Sequence, residues 1–353
     1  MDLGSQGRLQ AAVALPAPKL PLQSRIRLFL SIWAFKTIVK VVFPVSRLIS
    51  PPPPTTRPSF LKAYPVRPHL YNRVFIPRSH RKDERLPLYM DIHLGGFVMG
   101  VPIWDDSFCA HMANTHNIVV VSLDYSKAPL ARYPVPSDDI VAIAQAVLSD
   151  DTLPIDKTRV VLGGFSAGGN LALSAAQAPE LQGKIHGSVC WFSITDLVTS
   201  PADKLKSRPY CDAKQVDQLA AAAPGFSWAY IEPGQDLRDP RLSVIYAKRE
   251  NLPKWLFVVG AEYDMLCNES KEMAMRLAGL GERERENGMY SFKRGTISWR
   301  MVRDVVHGFT HYIPAETDAD KQVRLGRREE VIAEVGQWLL KGPFAKTTHE
   351  PES

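Results

Sequence analysis

Short apolar runs alternate with amphipathic ones along most of this chain. Segments 86–94 (LPLYMDIHL), 117–125 (NIVVVSLDY), 158–165 (TRVVLGGF), 185–193 (IHGSVCWFS) and 254–262 (KWLFVVGAE) are rich in Val, Ile, Leu and aromatic residues. Runs of that length without polar alternation predict strands buried on both faces. Between them, 138–148, 170–177 and 270–280 repeat apolar residues at helical spacing, and 328–340 ends the regular pattern in the same way. Strands alternating with helices predict an α/β fold with a mostly parallel sheet covered on both sides. Residues 195–250 break this rhythm with polar, proline-bearing and alanine-rich sequence, and are expected to form an insertion above the sheet. The charged stretch 281–299 is expected to be a surface loop.

The first sixty residues follow a different pattern. Residues 27–45 (RLFLSIWAFKTIVKVVFPV) are apolar enough to resemble a membrane segment, but Lys36 and Lys40 interrupt them. A lysine at a bilayer centre costs several kcal/mol, so comfortable spanning is not expected. At about 100° per residue, Arg25, Lys36 and Lys40 fall on one side, which predicts an amphipathic helix. Its apolar face has two candidate partners, a membrane surface or the body of the same protein. The expectation is the second, a lid over a pocket. The proline run in 50–60 (SPPPPTTRPSF) reads as an extended linker, since proline fixes φ and removes a donor. The expected organisation is therefore an N-terminal helix and linker over 1–60, a catalytic body over 61–345 carrying the 195–250 cap, and a tail over 346–353.

Composition narrows the function classes. The chain has 353 residues, 45% of them hydrophobic, enough for a large core without metal or disulfide support. The net charge is +6, but basic residues are interspersed with acids, as in 281–288 (GERERENG), which argues against a nucleic-acid surface. Four cysteines, Cys109, Cys190, Cys211 and Cys267, form no CxxC pair. The apolar N-terminal run begins late, and no small-residue cleavage site follows it. A cytoplasmic protein with reduced thiols is the expectation, with any membrane association residing in residues 27–45.

The chemistry concentrates around Ser166, in the stretch VVLGGFSAGGNLAL at 160–173. Gly164 and Gly168 flank it at minus two and plus two, after a strand and before a helix. That is the setting of a nucleophilic serine on a sharp turn, where small neighbours are required. Segment 91–100 (DIHLGGFVMG) ends a strand in His93 and the pair Gly95–Gly96, and 304–309 (DVVHGF) carries His307. With DYSKAPLARYPVPSDD at 124–139 and DPRLS at 239–243, these motifs resemble the hormone-sensitive-lipase-like branch of the α/β-hydrolases, from about residue 86 to 341.

That resemblance implies the α/β-hydrolase fold and a triad in chain order. Ser166 would be the nucleophile, Asp264 in GAEYDML the acid, and His307 the base. Glu262 and Asp304 are the alternative acids, one off the motif and the other three residues from His307 along a presumed strand. Oxyanion donors would be the amides of Gly95, Gly96 and Ala167. No cofactor and no metal is implied, and the His307–His311 spacing lacks the Glu of a zinc helix. Leu94 stands where the family has a glycine, which would put bulk near the pocket.

The implied activity is hydrolysis of a carboxylic ester of a hydrophobic small molecule through an acyl-enzyme. A cyclase or acyl-releasing enzyme of a natural-product pathway is the alternative on the same site. A non-catalytic receptor is the third reading, and His307 argues against it, because receptors similar to this family lack the histidine.

Overall fold

In a computed structural model the protein is described over residues 14–49, 51–209, 217, 219–313 and 316–346. Cys211 and positions 347–353 of the tail lie outside the described residues. The central element is a nine-stranded sheet: β1 (Phe60–Tyr64), β2 (Arg67–Phe75), β3 (Leu86–Ile92), β4 (Val119–Leu123), β5 (Ile155–Phe165), β6 (Gly187–Trp191), β7 (Trp255–Ala261), β8 (Ser291–Arg294) and β9 (Ile297–Val302), in the order β1-β2-β4-β3-β5-β6-β7-β9-β8. The run β4-β3-β5-β6-β7-β9 is parallel, and the pairs β1–β2, β2–β4 and β8–β9 are antiparallel.

Nine α-helices of six to twenty-eight residues accompany the sheet among the described residues. They are α1 (Leu22–Ile49), α2 (Asp106–His116), α3 (Val135–Leu148), α4 (Ala167–Ala176), α5 (Pro201–Ser207), α6 (Ala223–Tyr230), α7 (Cys267–Leu277), α8 (Glu282–Asn287) and α9 (Asp318–Lys341).

The continuous apolar strands are explained by burial on both faces. In β3, Leu88, Met90 and Ile92 pack with Ile140, Ala144, Leu171 and Ala175 of α3 and α4. Tyr89 points to the opposite side, in the layer that α2 and α9 close with Phe108, Met112, Val335 and Leu339. All seven β3 residues are buried. At about 25 cal/mol per Å² of apolar surface, two such layers supply the main stabilising term.

The structure departs from expectation at three places. Residues 60–75 form the β1–β2 edge hairpin, which Pro65, Pro68 and the exposed side chains of Leu61, Val66 and Tyr71 hide from a hydrophobicity reading. The 281–299 stretch is not a loop. It contains α8, the short exposed strand β8 and the start of β9, whose Trp299 is buried. His307 does not end a strand: β9 stops at Val302, and a turn through Asp304, with φ 60°, carries the chain to His307.

The 195–250 insertion lies between β6 and β7 and supplies α5 and α6, with α1 packed on α6. Ile32 of α1 sits against Gly225, and the rings of Phe35 and Phe226 are 6.2 Å apart.

Candidate active site

The parallel strands bring four chemically loaded loops to one edge. Loops at the carboxyl ends of such strands are where α/β sheets place ligands. The loop after β3 carries Gly95 and Gly96, the turn after β5 carries Ser166, the loop after β7 carries Asp264, and the turn after β9 carries His307.

Ser166 answers why glycines surround it. Its φ and ψ are 54° and −115°, a strained backbone for a residue with a side chain, and its N–H donates to the Trp191 carbonyl at 2.8 Å. The turn brings α4 back against the end of β3. A Cβ on Gly168 would lie 2.0 Å from the Ile92 carbonyl oxygen, and one on Gly164 would lie 2.6 Å from both Ile92 O and the Gly168 carbonyl carbon. Both glycines are therefore required by space, and the hydroxyl is presented at the head of α4.

Ser166 Oγ lies 3.0 Å from His307 Nε2, and His307 Nδ1 lies 2.7 Å from Asp264 Oδ2. Asp264 is fully buried, and its other oxygen accepts from the Leu266 N–H at 2.9 Å. With Nδ1–H donating to the carboxylate, Nε2 is left as the acceptor for the serine hydroxyl. Burial works against a charged His307, but the charge of Asp264 and its hydrogen bond outweigh it. The pKa ends above the ordinary histidine value.

The alternative acids do other work. Glu262 Oε2 accepts from the Asp304 N–H at 2.8 Å, clamping the turn that leads to His307. Asp304 is half-exposed and pairs with Arg327 at 3.1 Å. Neither touches His307.

Of the three expected oxyanion donors, Gly96 and Ala167 line the same cavity as Ser166. Gly95 stands one residue behind. Its φ of 142° favours glycine, its carbonyl accepts from Val98 and Met99, and a Cβ there would lie 2.0 Å from Met99 O. His93 is buried beneath this loop, with Nδ1 2.7 Å from the Leu94 carbonyl oxygen, Nε2 3.2 Å from Asp124, and its ring stacked on Tyr125. Leu94 does not crowd the pocket. Its φ is not positive, and its side chain packs into the α2–α9 layer rather than the cavity wall.

The cavity measures about 580 Å³ and opens over Ser166. Its walls come largely from the cap and are mainly apolar, including Ile194, Leu197, Leu219, Phe226, Trp228 and Met265. Residues 27–45 do not line it: the N-terminal contribution is residues 17–20 and Arg25, while α1 braces α6 from behind. The lid expected from 27–45 is thus a buttress.

Two groups escaped the sequence reading. Asp217 in the insertion is buried and accepts from the N–H groups of Leu219 and Met265, tying the cap to the loop that bears Asp264. Burial, followed by the nearby charge of Asp264, raises its pKa. No sequence signal marked it. Asp91, Asp105 and His311 form a second buried cluster, in which His311 Nε2 lies 2.6 Å from Asp105 Oδ1. The signal there was an aspartate inside the apolar run LYMDIHL.

Comparison with known proteins agrees with this fold. A family model described as alpha/beta hydrolase fold matches residues 89–290. An AB hydrolase superfamily protein of Schizosaccharomyces pombe is 35% identical over 183 residues, 52% of this chain and 48% of that protein. The chain thus spans about half the length of the curated relative it matches. Among solved structures, an esterase of Pyrobaculum calidifontis is 25% identical, with a TM-score of 0.66 over 93% of this chain and 100% of that one. A thermostable carboxylesterase cloned from a metagenomic library is also 25% identical, with a TM-score of 0.60 over 76% and 85% of the two chains.

Proposed function

The chain belongs to the alpha/beta hydrolase fold family, and on that premise we propose that it is a serine esterase acting on a hydrophobic carboxylic ester. The observation that carries the reading is the unbroken line from Ser166 Oγ through His307 to Asp264, at 3.0 and 2.7 Å. His307 Nε2 takes the hydroxyl proton as Ser166 Oγ attacks the ester carbonyl. The developing oxyanion is met by backbone N–H groups of Gly95, Gly96 and Ala167, and Asp264 compensates the imidazolium. Collapse breaks the acyl–oxygen bond, and His307 returns the proton to the leaving alcohol. Water, activated by the same histidine, then releases the acid from Ser166.

The substrate class follows from the walls. A cavity of about 580 Å³ lies within the range of small-molecule sites. Its apolar lining favours an ester with a sizeable hydrocarbon portion over a peptide. A pocket reshaped by Leu94 would favour the cyclase alternative, and Leu94 packs away from the cavity. His307 in line with Ser166 supports catalysis over ligand sensing.

The test is turnover of a p-nitrophenyl ester series by the wild type and by Ser166→Ala. The expected result is hydrolysis that favours medium acyl chains and is lost in the variant. Activity retained by clean Ser166→Ala protein would overturn the reading.

A further inference from the structure

Helix α1 leaves a broad apolar face uncovered. The residues it turns toward the body include Ser24, Leu28, Ile32, Lys36, Phe43 and Arg47, all shielded to some degree. Lys36 is buried, donates to the Ala128 carbonyl at 2.7 Å, and has its pKa lowered to about 8 by burial and then by Lys40 and Lys127. The opposite face holds Ile26, Leu30, Ile38, Val41, Val45 and Leu48, each about half exposed or more; Leu30 is 60% and Leu48 83% exposed. A helix packed on a soluble body ordinarily turns such an apolar face inward.

Charge singles out the same end of the chain. Residues 3–82 contain fourteen Lys and Arg and not one Asp or Glu, so the acids that balance the rest of the sequence lie beyond position 82. An apolar outward face in a segment this basic complements one kind of surface, an anionic bilayer.

The helix is long enough to span: 28 residues at 1.5 Å rise reach about 42 Å. Its docking argues for a different orientation. Arg25 at the cavity, Ile32 on Gly225, Lys36 on Ala128 and Phe43 against Trp104 (ring centroids 5.6 Å apart) fix it along the body for most of its length. A helix held this way can enter a membrane only sideways.

We propose that α1 is an in-plane membrane-docking surface, which lays its outward apolar face into the interface of an anionic bilayer while its inner face stays on the cap. The cavity wall includes residues 17–20 and Arg25, at the amino end of the same helix, so the docked protein takes apolar substrate at the lipid boundary. The docking itself does not depend on Ser166 being the nucleophile.

The experiment is sedimentation of the full-length protein with vesicles of phosphatidylcholine alone or with about 30 mol% phosphatidylserine. The expected result is binding to the anionic vesicles, weakened several-fold at high salt by screening, and release by carbonate. Leu30→Glu with Val41→Glu should weaken binding about tenfold or more, because each replaces a buried apolar contact by a charge. Turnover of a short soluble ester should be unchanged in that variant, which reports an intact fold. Leu30→Ser with Val41→Ser serves if the charged pair impairs folding. Failure of the folded wild type to bind anionic vesicles would overturn the proposal, as would binding that ignores these substitutions. So would carbonate-resistant retention, which means spanning, or a solution dimer that the substitutions dissociate without any vesicle binding. Loss of ester turnover in the wild type with vesicle binding intact would count against the esterase reading alone.

Discussion

Two histidine–aspartate pairs lie four residues apart on one turn, and they are opposite in chemistry. His307 and Asp264 approach to 2.7 Å, His311 and Asp105 to 2.6 Å, and both aspartates are fully buried. His307 has its pKa raised, because the charge and hydrogen bond of Asp264 exceed the cost of burial. His311 is pushed down to about 3, with burial the largest cause. The difference lies in the surroundings: at His311 burial and the nearby charges of Arg328, His307 and Arg324 outweigh the opposing charge of Asp91. Asp91 and Asp105 are both buried, and neither Asp91 Oδ1 nor Asp105 Oδ2 has a hydrogen-bond partner among the described residues. The nearby charge of Asp105 adds to burial in raising Asp91. Burial lifts Asp105 to about 8 and Asp91 well above its ordinary value. A protonated carboxyl then faces a neutral imidazole, and no charge remains to activate anything. Asp264 instead meets a backbone N–H at Leu266 and the histidine itself. A short distance between His and Asp therefore does not define a base; the company of the aspartate does.

The largest effect expected from breaking this contrast is at the nucleophile. Ser166→Ala should lower kcat by about 10⁴-fold or more with the fold intact, as measured by ester turnover and circular dichroism. Asp264→Asn should cost about 10³- to 10⁴-fold. Its pH profile carries a sign. The base must be neutral, so activity rises as pH passes the His307 pKa, above the ordinary 6.5 in the wild type. Removing the Asp264 charge leaves burial opposed only by the nearby charge of Asp217, so the acid limb of kcat/KM should move to lower pH in the variant.

Glu262→Gln keeps an acceptor for the Asp304 N–H and should cost about threefold or less, by kcat/KM. A larger loss than Asp264→Asn would move the acid to Glu262.

The smallest effect on turnover is expected at the second pair. Asp105→Asn and His311→Gln should leave kcat within about threefold, and their signature is stability. Asp105 keeps its proton in the folded state up to about pH 8, whereas in the unfolded chain it loses it near 3.8. Its contribution therefore falls as pH rises through that window. His311 is neutral when folded and takes up a proton below about 6.5 when unfolded, so its contribution rises with pH from about 3 to 6.5. The two trends oppose each other at acid pH and leave a decline between about 6.5 and 8. Thermal unfolding across that interval should show a fall in Tm of a few degrees in the wild type and a flatter curve in Asp105→Asn.

The contrast also marks what the chain made legible. Ser166 and Asp264 could be read because each stands in a local pattern just after a strand, and His307 through its VHGF setting; the glycine spacing around Ser166 reflects a clash with Ile92 that allows little else. The parallel strands were legible because burial on both faces leaves unbroken apolar runs. The edge strands were not, since β1, β2 and β8 expose much of their surface and their composition resembles loops. Helical periodicity placed Arg25, Lys36 and Lys40 of α1 on one side, but it does not say which side faces the body. Lys36 finds a carbonyl only through the fold. The Asp91–Asp105–His311 cluster joins residues up to 220 positions apart, and only the lone charge of Asp91 in β3 hinted at it.

The most direct measurement is the rate and position of labelling by a fluorophosphonate, read by peptide mass spectrometry in the wild type, Asp264→Asn, Asp105→Asn and His311→Gln. The account predicts a single adduct on Ser166, labelled about 10³-fold more slowly in Asp264→Asn and at close to the wild-type rate in the other two variants. An adduct on another residue, or Ser166 labelling that depends on Asp105 and not on Asp264, would contradict it.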